Sequence, residues 1–527
     1  MPTMTPSTTV RAPGGMVCSA DQVATQAGLW ALARGGNAVD AAIATNAAIA
    51  VTGAHMCGMG GDLFALIHDG SQVHALNASG RAGSGASSEQ LRAEGLTEMP
   101  FRHDIRVVTV PGCVDGWVEL NTRFGRLGLD EVLAPAIRLA EDGFPATAEL
   151  VFVLSTLDDR GREAMHELVA QAVRPGALVR RVGMARALRE VATGGRDAFY
   201  GGSFGAGLLD LGRGWFSSDD LATPGADWVA PLGADVWGRR LWTIPPNSQG
   251  YLTLSGALIA AGLELPDDTR DPRWAHLLIE SATAAGFDRP TALHEGADGD
   301  ALLAASRLDP RREAIDPQRA SRRWTPVAPG DTTYLCTVDS DRMAVSLIQS
   351  NASNLGSWLV EPSTGINLHN RGLGFSIDDG HPAEIAPGRR PPHTLCPSML
   401  TNPDGSFAAT IGTMGGDAQP QIQLQVITRL LHNQQTPAQA IFSGRWALQG
   451  PDTGFDTWTA PRGPIVAVEG NAPDVWAAEL TKMGHLVDQR QSFDSDFGHA
   501  HCIVAEASGL LAGAADPRTG AGSCAGL

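Results

Sequence analysis

Asp331-Thr332-Thr333-Tyr334 lies deep in the chain, between a disorder-like polar run, Gln318 to Gly330, and a β-patterned run, Leu335 to Gln349. A threonine hydroxyl is a weak nucleophile until a base takes its proton, and an N-terminal threonine carries that base as its own α-amine. Cleavage before Thr332 would create such a unit. The new amine, with a reference pKa of about 7.7–8.0, would be substantially neutral near physiological pH and able to act as a general base. Two threonines are also an ordinary start for a strand, because β-branched residues favour sheets. The case for chemistry therefore rests on what surrounds the dipeptide.

Several elements are required to hold it. Tyr334 to Val338, Met343 to Gln349, Ser398 to Leu400 and Phe407 to Ile411 alternate or run apolar like sheet strands, as do Leu63 to His68 and Val73 to Leu76 around the turn Asp69-Gly70-Ser71. Helices are expected over Cys18 to Ala33 and Ala38 to Ala50, separated by Arg34-Gly35-Gly36-Asn37, and through much of Asp130 to Ala192. Gln421 to Leu431 and Pro473 to Met483 read as covering helices. From Asp309 to Asp331 the sequence carries five arginines, four prolines and few large apolar residues, as an exposed connection would. By periodicity the class is mixed α and β.

Composition narrows the chemistry. A length of 527 residues exceeds one simple core, and 43% hydrophobic with 18% charged residues describes a globular protein with a sizeable interior. Acidic residues outnumber basic ones 57 to 39, a formal charge of -18, which argues against nucleic acid as a partner. The chain has one lysine, Lys482, in what reads as a helix end. Schiff-base catalysis, pyridoxal phosphate and a Walker A loop would all depend on it. Seven scattered cysteines without a C-x-x-C unit suggest reduced thiols and a cytoplasmic location. No secretory signal is expected in Met1 to Gly15, and no membrane span, since no apolar run reaches eighteen residues.

Gly35-Gly36-Asn37-Ala38-Val39-Asp40-Ala41-Ala42 is followed by Gly58-Met59-Gly60-Gly61-Asp62, Val110-Pro111-Gly112 with Gly116-Trp117, and Pro245-Pro246-Asn247-Ser248-Gln249-Gly250. Thr332-Thr333, Ala344 to Ser357, Pro387-Gly388-Arg389-Arg390-Pro391 and Gly415-Gly416 come next. In this order, over most of the chain, the sequence resembles the γ-glutamyltransferase family of N-terminal-nucleophile hydrolases. The resemblance implies a four-layer αββα sandwich with Thr332 opening a central strand. It also implies a precursor that cuts itself into two polypeptides, residues 1–331 and 332–527, held together as a heterodimer or a dimer of heterodimers. No cofactor or metal is implied.

The resemblance also assigns roles. Thr332 is the expected nucleophile, with Thr333 supporting the new terminus, and Ser350 matches a hydroxyl that hydrogen-bonds the nucleophile. Gly415 and Gly416 match a glycine pair whose amides receive the oxyanion. Arg81 matches an arginine that clamps the substrate carboxylate; two parallel N–H bonds suit that group. Departures concentrate at the substrate wall. Gly374 replaces a carboxylate that usually holds the α-amino group of glutamate, and Arg371 stands where Glu or Gln is usual. His393-Thr394 replaces a serine pair, and Asn351 lies one position before the usual asparagine. An ammonium would meet Arg371 and no obvious acid, which argues against a γ-glutamyl donor itself; a small carboxylate-bearing substrate with a γ-glutamyl-like amide is expected. The variants look similar to the acylase-like or biosynthetic branch, which leaves three readings: amide cleavage with transfer to water or an amine, C–C cleavage in a specialised metabolite, or an unprocessed binding homologue.

Weaker signals read as structural. Gly201-Gly202-Ser203-Phe204-Gly205 fits G-x-S-x-G, but Thr193 to Tyr200 is polar and glycine-broken and is expected to be a loop rather than the strand an elbow needs. His499-Ala500-His501 offers two imidazoles with no third ligand at useful spacing.

Overall fold

Asn37 accepts the amides of Val39 and Asp40 while the Asp40 carboxylate returns to the Asn37 amide, a reciprocal cap that opens helix Ala38–Thr52. Every residue of that helix is buried, which its alanine-rich surface permits. The computed structural model describes residues 8–321, 332–449 and 465–527 of the chain. Most of the polar run before Thr332 lies outside them. The preceding helix begins at Gln22, capped by Asp21, and not at Cys18. Met16–Ser19 is instead a strand, because its residues pair with Thr333–Val338, Cys18 opposite Cys336.

Two antiparallel sheets of seven strands form the centre. The first has the order Ser523–Gly526, Met16–Ser19, Thr333–Val338, Ala344–Ser350, Asp62–His68, Val73–Ala78, Asp227–Val229. Strands from before residue 331 and after it are thus interleaved. The second runs Val10–Ala12, Leu511–Ala514, His501–Ala505, Phe407–Gly412, Ser398–Thr401, Arg239–Thr243, Leu232–Val236.

Period-two alternation separates the faces. Leu335, Val345, Leu347, Leu63 and Ala65 of the first sheet join a core with the helices around Ala38–Thr52. Tyr334, Cys336, Val338, Ile348 and Phe64 face the other way, against Met399, Ile503 and Leu511 of the second sheet. The outer face of that second sheet, including Leu400, Ala409 and Ile411, packs under helices Gly250–Ala261, Pro272–Gly286 and Gln419–Leu431. The fold is the four-layer αββα sandwich.

The segment Thr193 to Tyr200 departs from the expected loop. Helix Val182–Tyr200 runs through it, broken at Gly195 where φ is 59°. Its buried side chains Phe199 and Tyr200 explain why the polar stretch is still ordered. Ser203 then begins a helix and contacts Glu190, so no nucleophile elbow exists there. Among the described residues, no helix is long and apolar enough to cross a membrane.

Candidate active site

Thr332 immediately precedes strand Thr333–Val338, beside strand Ala344–Ser350, in the middle of the first sheet. Thr333 pairs with Gln349, so the next residues outward, Thr332 and Ser350, meet. Their hydroxyl oxygens are 3.2 Å apart, and both residues are buried. Alternation puts Thr332 on the face of Tyr334, toward the second sheet, and Thr333 on the opposite face. Ser350 Oγ also accepts the amide of Ala352, which fixes the serine rotamer.

Across the sandwich, strand Phe407–Gly412 leads into Gly415 and Gly416, whose φ values of 127° and 54° lie where only glycine is at ease. Helix Gln419–Leu431 follows, so the two amides sit at a helix N-terminus, where partial positive charge accumulates. Among the described residues neither amide donates to an acceptor. The two sides are joined at Gly412, where a Cβ would lie 2.2 Å from the Tyr334 ring. Glycine there admits the ring two residues beyond Thr332.

Gln249, from the Pro-Pro-Asn-Ser-Gln-Gly motif, braces this turn. Its Nε2 donates to the carbonyls of Gly416 (3.0 Å) and Thr394 (2.8 Å), and its Oε1 accepts from Arg289 Nε. Arg289 Nη2 lies 3.1 Å from the buried Asp417 carboxylate.

The substrate wall differs from the sequence expectation in one decisive respect. Asp62, fully buried at the end of the glycine-rich turn, faces Ser350 in register. Its Oδ2 accepts from Arg371 Nε at 2.6 Å and from His393 Nε2 at 2.9 Å, with His369 Nδ1 at 3.4 Å. Arg371 therefore does meet an acid. Although burial opposes ionisation, Arg371 and His393 hold the Asp62 carboxyl well below its usual range. Burial, followed by the Arg371 charge, pushes His393 down to about 3. The imidazole is neutral, and its Nδ1 accepts the Leu395 amide. Arg371 Nη1 also donates to Thr394 Oγ1.

Two other candidate residues have distant partners. Asn351 donates Nδ2 to the carbonyl of Ala54, just beyond the end of the buried helix. Arg81 is held by Glu295 (2.7 Å), Asp227 (2.9 Å) and the carbonyl of Gly388, and Asp227 is shared with the buried Arg390. These acids lie 146 and 214 residues away in sequence, so no local pattern could announce them. Gly374 lines a cleft of about 290 Å³ with Thr394, Arg289, Phe375 and His381. A Cβ at Gly374 would fall 2.1 Å from the Pro392 carbonyl, so the chain path itself excludes a side chain there. Sequence reasoning did not single out Asp62, Gln249 and Arg289, which the structure brings to this region. The first two sat inside recognised motifs; Arg289 carried no signal.

Among the described residues, His499 and His501 do not belong to a group of three metal-ligating side chains. His499 Nε2 lies 2.9 Å from Ser495 Oγ, while His501 accepts the Asp516 amide and stacks on Tyr334.

Known proteins match this chain over nearly its whole length. The family model for gamma-glutamyltranspeptidase matches residues 24–526. A glutathione hydrolase-like YwrD proenzyme of Bacillus subtilis is 34% identical, over 97% of this chain and 98% of its own. An oxamate amidohydrolase proenzyme of Klebsiella pneumoniae is 36% identical, over 96% and 97%. The crystal structure of a cephalosporin acylase from Bacillus halodurans superposes with a TM-score of 0.90 at 33% identity, covering 100% of this chain and 98% of that one.

Proposed function

Because the chain belongs to the gamma-glutamyltranspeptidase family, we propose that it is a self-processing amidohydrolase or acyltransferase whose nucleophile is Thr332, released as an N-terminus by cleavage after Asp331. The observation that carries this reading is the buried Thr332 hydroxyl, 3.2 Å from Ser350 at the head of a central strand. Relatives that are proenzymes support a two-chain product, residues 1–331 and 332–527.

In this mechanism the Thr332 α-amine takes the proton from Oγ1, which attacks the amide carbonyl of a small molecule. Ser350 holds the attacking oxygen in line. The tetrahedral oxyanion forms against the amides of Gly415 and Gly416, each such donor contributing roughly 3–4 kcal/mol to barrier reduction. The leaving amine receives the proton, and the acyl ester on Thr332 passes to water or to a second amine.

For the donor we infer an amide bearing a carboxylate and lacking the α-ammonium of glutamate. Gly374 offers no acid and has no room for one, while Asp62 is committed to Arg371 and His393. Arg289 and Thr394 are polar groups of the cleft wall, which Glu98 and Asp378 also line, and Arg289 is itself paired with Asp417. Arg81, paired with two acids, is assigned the organisation of the rim.

Intact-mass measurement of purified protein, with and without candidate amides, tests the reading. Two polypeptides are expected, the second beginning at Thr332 and gaining an acyl mass on turnover, whereas Thr332→Ala remains a single chain. An active enzyme that stays continuous, or keeps its turnover as Thr332→Ala, would refute it. Release of a carboxylic acid without an amine would assign C–C cleavage instead.

A further inference from the structure

On the outer side of the second sheet, helix Pro272–Gly286 places His276 and Glu280 one turn apart on the same face, and His485 reaches them from beyond helix Val475–Met483. One ligand atom from each of the three side chains lies within 4.8 Å of the others. His276 Nδ1 is 2.8 Å from His485 Nε2, which is 4.0 Å from Glu280 Oε1. All three residues are nearly inaccessible. We propose that His276, Glu280 and His485 form a binding site for one zinc ion per chain, with water as the fourth ligand.

The donor set is two imidazoles and a carboxylate, a combination that suits zinc, with bonds of about 2.0–2.2 Å and ligand atoms about 3.4 Å apart in a tetrahedron. The observed separations of 2.8 and 4.0 Å straddle that spacing. The ring of His276 is already oriented as a ligand requires. Its Nε2 faces the Asp316 carbonyl at 2.8 Å and donates to it, which leaves the Nδ1 lone pair directed at the cluster. In the metal-free arrangement the His485 Nε2–H donates to His276. On binding, that proton moves to Nδ1 of the same ring and Nε2 becomes a ligand, with no net proton lost from the imidazole.

The location gives such an ion a role. Glu280 accepts the amide of Ser321, Asp316 holds His276, and Ala320 donates its amide to Met483. The ion would tie the residues that lead toward Thr332 to a helix on one side and to the His485 loop on the other. Zinc binding does not depend on the chemistry proposed for Thr332, so either can fail without the other.

The test uses tag-free, metal-stripped full-chain protein titrated with Co²⁺ as a spectroscopic stand-in for zinc. One equivalent per chain should give the visible absorption of a tetrahedral site, and zinc should abolish it and raise the melting temperature. Glu280→Gln keeps an acceptor for Ser321, and His485→Asn removes one ring. Each should weaken cobalt binding by more than the roughly 10–100-fold lost when only a ligand's hydrogen-bond partner is removed. X-ray absorption of the zinc-loaded parent should show two imidazoles and no sulfur, a readout independent of whether the variants fold. No saturable cobalt band, unchanged affinity in well-folded variants, or sulfur ligation would overturn the proposal.

Discussion

Lowering the pH from 7.5 to 5.0 should destabilise the metal-free protein by about 4 kcal/mol through His393 and His501 alone. Both imidazoles are fully buried, and burial is the largest cause of their depression from 6.5 to about 3. A ring that resists protonation in the fold binds fewer protons than the same ring in the unfolded chain. Stability is therefore full above pH 6.5 and lost as the pH falls toward 3. At about 1.36 kcal/mol per pH unit, each ring contributes a loss of about 2 kcal/mol by pH 5, against a typical total of about 5–15 kcal/mol. Asp62 and Asp516 are depressed in the fold and add their own losses only at lower pH. Asp40, Asp115, Asp339 and Asp496, raised by burial, act in the opposite sense. Urea unfolding followed by tryptophan fluorescence at pH 7.5 and 5.0 measures the difference, and ring-proton NMR attributes it. Ring signals from these residues that titrate near 6.5, or a stability change under about 1 kcal/mol, would refute the reasoning.

Asp62→Asn should cost about 3–5 kcal/mol in the same urea experiment, because it removes the buried carboxylate to which Arg371 Nε donates; pairing it with Arg371→Met should recover much of the loss. Ser350→Ala removes one neutral hydrogen bond from Thr332, worth about 1 kcal/mol. Steady-state kinetics should show kcat reduced about five- to tenfold with KM little changed. Gly412→Ala drives a methyl into the Tyr334 ring and should destabilise by about 1–3 kcal/mol, read as a lowered melting temperature that Tyr334→Leu partly restores.

The strands from Asp62 to Ala78 and from Thr333 to Ser350 were legible because alternation is a local property, and the glycine pair because a tight turn after a strand is equally local. Their placement in four stacked layers came from resemblance, since periodicity carries no information about which strands become neighbours. What escaped was pairing over distance. Arg371 finds Asp62 309 positions away, and its charge looked unopposed only because nothing nearby in sequence opposed it. Arg81 likewise finds its acids far away in sequence. The helix through Thr193 to Tyr200 was missed because glycine content outweighed two aromatic side chains whose burial is decided elsewhere.

The interleaved order of the first sheet sets a sequence of events in the life of the molecule. Strands on either side of residue 331 hydrogen-bond to one another edge to edge, Met16–Ser19 with Thr333–Val338 and Ala344–Ser350 with Asp62–His68. The two products of a break at Thr332 could not part without exposing unsatisfied main chain along several edges. Maturation by this route must follow assembly. The fragments, once made, would be permanent companions, unsuited to exchange or to regulation by dissociation.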